Sequence, residues 1–262
     1  MLFVRHLESE ISTACNLSCN GCNHGIVPWR QHGPWQTDRK QLKADLSIIA
    51  TMLHAEKWGA LGGEPTLHKD LPALLQIARN SGVSDKTEVW TNGAFLTRMT
   101  DEFWDSFDIL VLSIYPGKHT EASLEWIRTR CERARVELVL KDEVHRPNFR
   151  NILEPEPTNA AATKAKFQQC FFRKFSRNAS WGFFFTCCCG PHWPMLLQGK
   201  PYGTDGIPID EHLTEASLTA YLERTEPLGA CTICAGRETA TPIPWAEERN
   251  PVKWIRASQG LA

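Results

Sequence analysis

The chain has 262 residues, with 29 Lys and Arg against 30 Asp and Glu for a formal net charge of −1. That length buries a full core without covalent staples, and the balanced charge excludes the basic footprint of a nucleic-acid binder and the Lys/Arg clusters of a protein held on an anionic membrane. No apolar stretch reaches the length of a membrane span, and the opening MLFVRHLESE lacks the apolar core of a secretory signal, so the expected location is the cytoplasm. In a reducing compartment, ten cysteines point to metal or redox chemistry before disulfides.

In chain order, LESEIST (7–13) reads as a strand that runs into a cysteine loop. RKQLKADLSIIATMLHAE (39–56) has apolar residues at helical spacing, and KWGALGG (57–63) is a short strand ending in glycines. KDLPALLQIARNSG (69–82) is a helix stopped by Gly82, and TEVWTNG (87–93) is a third strand. DEFWDSF (101–107) is a short helix, DILVLSIYP (108–116) a strand, HTEASLEWIRTRCERA (119–134) a helix and RVELVLKDE (135–143) a fifth strand. Repeated β-α units of this size predict a parallel sheet with right-handed crossovers, whose chemistry gathers at the C-terminal ends of the strands. The cysteine loop, GGEP, TNG and SIYPG follow strands one to four, so all four are expected on one rim.

After residue 145 the periodicity stops, in a Pro- and Asn-bearing segment. Beyond it, ASWGFFFTCCCG and PMLLQGKPYG read as two strands of a small hairpin-like unit, and TEASLTAYLERT (214–225) as a helix before CTIC. The division expected is a barrel part, 1–150, and a cysteine-rich α+β part, 151–262.

TACNLSCNGCNH (13–24) carries Cys15, Cys19 and Cys22 in the spacing C-x3-C-x2-C. Structural zinc sites use four ligands, commonly in C-x2-C pairs, which three thiols on one loop fit poorly. Thiolates also hold [4Fe–4S] clusters, and three of them leave one iron open to a small molecule. This loop resembles the signature of the radical S-adenosylmethionine (SAM) enzymes, and LGGEPTLHKDL (61–71) resembles their second-strand element. The resemblance covers roughly residues 7–145. It implies a partial (β/α)6 TIM-like barrel, a cluster on Cys15, Cys19 and Cys22, and SAM chelating the open iron, cleaved by one electron to a 5′-deoxyadenosyl radical that abstracts hydrogen. It also implies SAM contacts from Gly62, Gly63, Glu64, Asn92 and Ser113. One departure is Gly21, where the family commonly has an aromatic residue against the adenine. His24, Trp29 or backbone is left to take that role, unless Trp29 and Trp35 are ordinary packing residues.

A second cysteine group follows. Cys170, Cys187 in G-x4-C, Cys231 and Cys234 resemble the ligands of a twitch extension, a shortened relative of the SPASM domain, which holds an auxiliary [4Fe–4S] cluster. Zinc on the same four residues is the alternative. The triplet Cys187–Cys189 leaves its ligand open; on a strand, 187 and 189 would face one way and 188 the other.

Among twitch-bearing relatives the layout looks most like an aminocyclitol dehydrogenase. The resemblance therefore implies two-electron oxidation of a small polar substrate (sugar, aminocyclitol or nucleoside), with the auxiliary cluster as electron acceptor and a flavodoxin, ferredoxin or reductase as donor. Glu143, His145 and Arg150, after the fifth strand, are candidate bases, and a spare thiol, Cys188 or Cys189, is a candidate hydrogen donor. A redox-neutral epimerase and a peptide maturase are the competing activities. Few residues precede Cys15 for an added peptide-binding domain, which counts against the maturase. A zinc-binding module is the reading outside the enzyme class.

Overall fold

The computed structural model describes residues 1–142, 149–193 and 205–261. An eight-stranded sheet runs in the order β5-β4-β3-β2-β1-β6-β7-β8. Its members are β1 (Leu2–Ser12), β2 (Leu53–Gly62), β3 (Ser84–Thr91), β4 (Ile109–Ile114), β5 (Glu137–Asp142), β6 (Arg177–Ser180), β7 (Phe183–Phe185) and β8 (Ile207–Pro208). The first six are parallel to one another, and β7 and β8 join antiparallel. This is the expected α/β partial barrel with an antiparallel appendage. The sixth parallel strand lies beside β1, pairing Leu7 with Arg177 and Glu8 with Asn178. The sheet thus continues across residue 150 and joins the two parts of the chain.

Alternation along β1 assigns its two faces. Leu7 and Ile11 enter the main core with Leu42, Leu46, Leu74 and Leu75 from α2 (Arg39–Ile49) and α3 (Leu71–Ser81). His6 and Glu8 take the opposite face and line the central cavity. Asp38 caps α2 by accepting from the amides of Lys40 and Gln41. Gly82, at φ +69°, ends α3 in the left-handed conformation that glycine adopts freely.

Two expected elements differ. The helix expected over 39–56 stops at Ile49, and β2 already begins at Leu53. Leu53 and Ala55 satisfy strand and helix periods equally, and pairing with β1 decides between them. The hairpin is β6–β7, turning at Trp181 (φ +58°) and Gly182 (φ +79°). The stretch 194–203, expected as its second strand, lies outside the described residues. Cys187–Cys189 follow β7 in a turn, so strand alternation does not sort them. Among the described residues no helix is long and apolar enough to cross a membrane.

Candidate active site

A cavity of about 540 Å3 runs along the inner face of the sheet. Cys15, Cys19, Cys22, Gly62, Gly63, Glu64, Asn92 and Ser113 all line it. The four rim segments expected from separate strands are therefore on one wall.

Glu64 wires that wall together. Its carboxylate is fully buried and accepts from Thr66 N (3.1 Å), Thr66 Oγ1 (2.5 Å), Thr91 Oγ1 (2.5 Å) and Asn92 N (2.8 Å). Asn92 Nδ2 then donates to Asn16 Oδ1 inside the cysteine loop (2.8 Å). Burial pushes the Glu64 carboxyl up, against the pull of these donors. A side chain at Gly63 would run into the Ala14 carbonyl, so the second glycine is what lets GGEP lie against the cysteine loop. Arg30 holds the loop's other side, donating to Ser18 Oγ (2.8 Å), Leu17 O (2.8 Å) and Cys15 O (3.2 Å). From the sequence, Thr91 enters only as part of TNG, and Asn16 and Arg30 are not singled out, although Asn16 lies within the cysteine motif itself.

The three thiols fit an iron–sulfur cluster by their chemistry. All are sulfur donors on one cavity wall, and N–H groups reach each one: Leu17 N to Cys15 Sγ (3.4 Å), Trp245 Nε1 to Cys19 Sγ (3.2 Å), and the amides of His24, Gly25 and Ile26 to Cys22. Such donors stabilise charge on ligand sulfur. Burial is the largest influence on each free thiol, pushing Cys15 up to about 12 and raising Cys19 and Cys22 as well.

Beside Cys22, Glu10, His24 and His192 bring ligand-type atoms within 4.8 Å of one another. Trp29 Nε1 donates to His192 Nδ1 (2.8 Å). An indole N–H only donates, so His192 carries its proton on Nε2 and gives it to Glu10 Oε2 (2.9 Å). That tautomer leaves no His192 lone pair for a metal. Glu10 also takes His24 Nδ1 (3.1 Å). Burial would raise Glu10, but the two imidazoles outweigh it and hold it at about 2. Trp29 is thus a buried packing and hydrogen-bonding residue, whereas His24 faces the cavity.

Farther along the strands the cavity is lined by His6, Glu8, Glu88, Trp90 and Lys141. His6 bridges Glu8 Oε1 (3.0 Å) and Glu88 Oε1 (2.5 Å), and Lys141 Nζ lies 4.1 Å from the Trp90 ring centroid. Burial alone would lower the imidazole; the hydrogen bonds and charges of Glu8 and Glu88 outweigh it and hold His6 up to about 9. The resulting stability is fully present below the ordinary histidine value of about 6.5 and is lost as pH rises through about 9. In an NMR titration the His6 ring is expected to stay protonated through pH 8. A midpoint near the ordinary value would contradict this pairing.

No protein-family model matches the chain. It is 30% identical over 100 residues to the GTP 3′,8-cyclase of Chlorobaculum tepidum, covering 37% of this chain and 28% of that protein. To the probable GTP 3′,8-cyclase of Methanocaldococcus jannaschii it is 27% identical over 106 residues, 39% of this chain and 33% of the relative. The matched stretches therefore span about a third of each relative's length. Among solved structures, BtrN in complex with AdoMet and 2-DOIA matches with a TM-score of 0.50 at 12% identity, over 84% of this chain and 82% of its own. The likeness is one of fold, and it joins the cysteine motif and GGEP on one wall. The chain has the fold of BtrN and carries the cysteine motif and GGEP that resemble the radical SAM family.

Of the other cysteines, Cys131 is buried in the main core, and the rest lie between residues 170 and 234. Cys170 lies between α6 (Ala160–Gln169) and α7 (Phe171–Phe175), and Cys231 in the turn Gly229–Thr232. Cys170, Cys231 and Cys234 each interact electrostatically with Cys187. Amides again reach sulfur, Cys189 N to Cys187 Sγ and Gly236 N to Cys234 Sγ, both at 3.3 Å. Hydrogen bonds from the Cys188 and Cys189 thiols bring Cys187 well below the ordinary thiol value, and Cys187 in turn drives both neighbours well above it. Four sulfur donors without a carboxylate fit a closed cluster or zinc.

Cys188 and Cys189 are buried in an apolar cluster with Val27, Ile152 and Trp193, against which Cys22 also packs. Cys188 lines the central cavity. Arg150 does not share that wall: its guanidinium donates to the Ala240 carbonyl (2.9 Å) and lines a separate small pocket with Asn23 and Cys234. Glu143 and His145 lie outside the described residues.

Proposed function

We propose that this protein is a radical SAM enzyme that oxidises a small polar substrate by two electrons, with a cluster on Cys15, Cys19 and Cys22 cleaving SAM and an auxiliary cluster on Cys170, Cys187, Cys231 and Cys234 accepting an electron. The observation that carries this reading is a cavity wall shared by the first cysteine loop and Cys188, whose neighbour Cys187 is the thiol that interacts with the other three of the second group. A redox centre one residue from the cavity wall suits a reaction that must remove a second electron. BtrN, whose solved complex contains AdoMet and 2-DOIA, supports a small-molecule substrate of the aminocyclitol or sugar class. When bound, SAM and the first cluster supply one-electron cleavage and a hydrogen-abstracting radical.

The chain's own residues have the following roles. Gly62 and Gly63 would let backbone approach SAM, Glu64 fixes that turn against Asn92 and, through it, the cysteine loop, and Ser113 would meet SAM from its place on the cavity wall. His6, Glu8, Glu88 and Lys141 give the substrate a wall of mixed charge. A flavodoxin, ferredoxin or reductase delivers the starting electron. A second reading, redox-neutral epimerisation, is favoured by the placement of the Cys188 thiol on the cavity wall. Peptide maturation has no such observation behind it.

The experiment is anaerobic incubation of the reconstituted protein with SAM, reductant and a panel of C-deuterated sugars and aminocyclitols. Deuterium in 5′-deoxyadenosine together with a carbonyl product supports oxidation. Deuterium transfer with recovery of a stereoisomer would replace oxidation by epimerisation. SAM left intact in the presence of a fully assembled first cluster would overturn both.

A further inference from the structure

The segment 241–248 lies directly on the first cysteine loop, although Trp245 and Cys19 are 226 positions apart. Asn20 N donates to Ala246 O (2.8 Å), Glu248 N to Ser18 O (2.9 Å) and Ser18 N to Glu247 Oε1 (3.0 Å). Lys118 Nζ pairs with Glu247 Oε2 (2.5 Å), and Trp254 Nε1 donates to Cys19 O (2.8 Å). The far side of this strap pairs with the segment at 149–151, through Ile243 N to Phe149 O and Asn151 N to Thr241 O, both 3.0 Å.

Two consequences follow for the loop. Gly21 has φ +68°, and a Cβ there would strike the Arg150 carbonyl oxygen and come within 3.1 Å of Ile243 Cδ1. The strap and its partner segment thus occupy the volume that a larger residue at 21 would need. The Trp245 indole, stacked on Tyr115 with centroids 5.4 Å apart and 19° between planes, aims Nε1–H at Cys19 Sγ (3.2 Å). Lys118 Nζ, 5.3 Å from the Trp245 ring centroid, packs against the same indole.

We propose that Trp245 is a positioning residue of the first cysteine site, its N–H···S bond to Cys19 raising the reduction potential of the cluster held there, while the strap 241–248 takes the place of side-chain bulk at position 21. This rests on the reading of Cys15, Cys19 and Cys22 as cluster ligands. Reduction adds negative charge that is shared by the ligand sulfurs, and a fixed N–H dipole stabilises the more negative state. An indole N–H is a donor only, so its effect has one sign. Trp245→Phe keeps an aromatic ring on Tyr115 and removes the N–H.

The test is an EPR-monitored redox titration of the anaerobically reconstituted full chain, following the signal that disappears in a C15A/C19A/C22A variant. Trp245→Phe is expected to shift its midpoint to more negative potential, with a several-fold smaller reduced fraction at fixed potential. Wild-type protein made with indole-15N tryptophan is expected to show a 15N coupling on the same signal by pulsed EPR, and this measurement stands even if the variant does not fold. A signal with no 15N coupling, or with an unchanged midpoint in Trp245→Phe, overturns the role of Trp245 alone. No signal dependent on the first loop overturns the cluster reading and this proposal with it.

Discussion

Replacing Cys15, Cys19 and Cys22 together with alanine is expected to lower bound iron from about eight to about four per chain, as cuboidal clusters require, and to abolish reductive cleavage of SAM. The three thiols are on one wall of the cavity, while the second constellation is built from segments around 170, 187 and 231–234 that do not depend on the loop for their ligands. Loss should therefore be selective. Iron and sulfide analysis beside a 5′-deoxyadenosine assay reads both effects. Persisting cleavage in the triple variant would sink the assignment of the first site. A wild-type content of about four irons falling to none would leave zinc or free thiols at the second. Oxidation would then lack its electron acceptor.

The second large effect separates neighbours in one turn. Cys187→Ala is expected to cost the auxiliary cluster, about four irons, and to abolish formation of oxidised product while SAM cleavage continues. Cys188→Ala is expected to retain all the iron and the oxidation, because Cys170, Cys231 and Cys234 interact with Cys187, whereas Cys188 turns to the cavity. The reverse pattern of iron loss would make Cys188 the ligand. Full iron with loss of product in Cys188→Ala would favour a hydrogen-donating thiol and hence epimerisation. Cys188 is buried and Cys187 half-buried, and shortening either side chain to a methyl leaves only a small void, so folding should survive each change.

Much of the first site was legible because its chemistry is local. Three thiols on one short loop, and two glycines ahead of an acid, are patterns that need no fold to be noticed. The strand-by-strand reading then placed GGEP, TNG and Ser113 on one rim, since parallel β-α units present their loops on one side. Boundaries were less legible. Residues 53–56 suit helix and strand alike until β1 and β3 supply partners. Arg150 is a candidate base from its place after the fifth strand, but its backbone packs over Gly21 and its side chain donates to the Ala240 carbonyl.

By itself the sequence determined the kind of chemistry: sulfur donors in two groups, a parallel α/β scaffold, and glycines where backbone must come close. Those properties reside in residue types and short spacings. Only the tertiary structure decided that the sixth strand pairs with β1, that Glu64 ties three segments together, and that a strap from the far end of the chain reaches Cys19. Each of these is a contact between residues far apart in the chain, set by packing and hydrogen-bond satisfaction once the sheet has formed, and no local pattern encodes it.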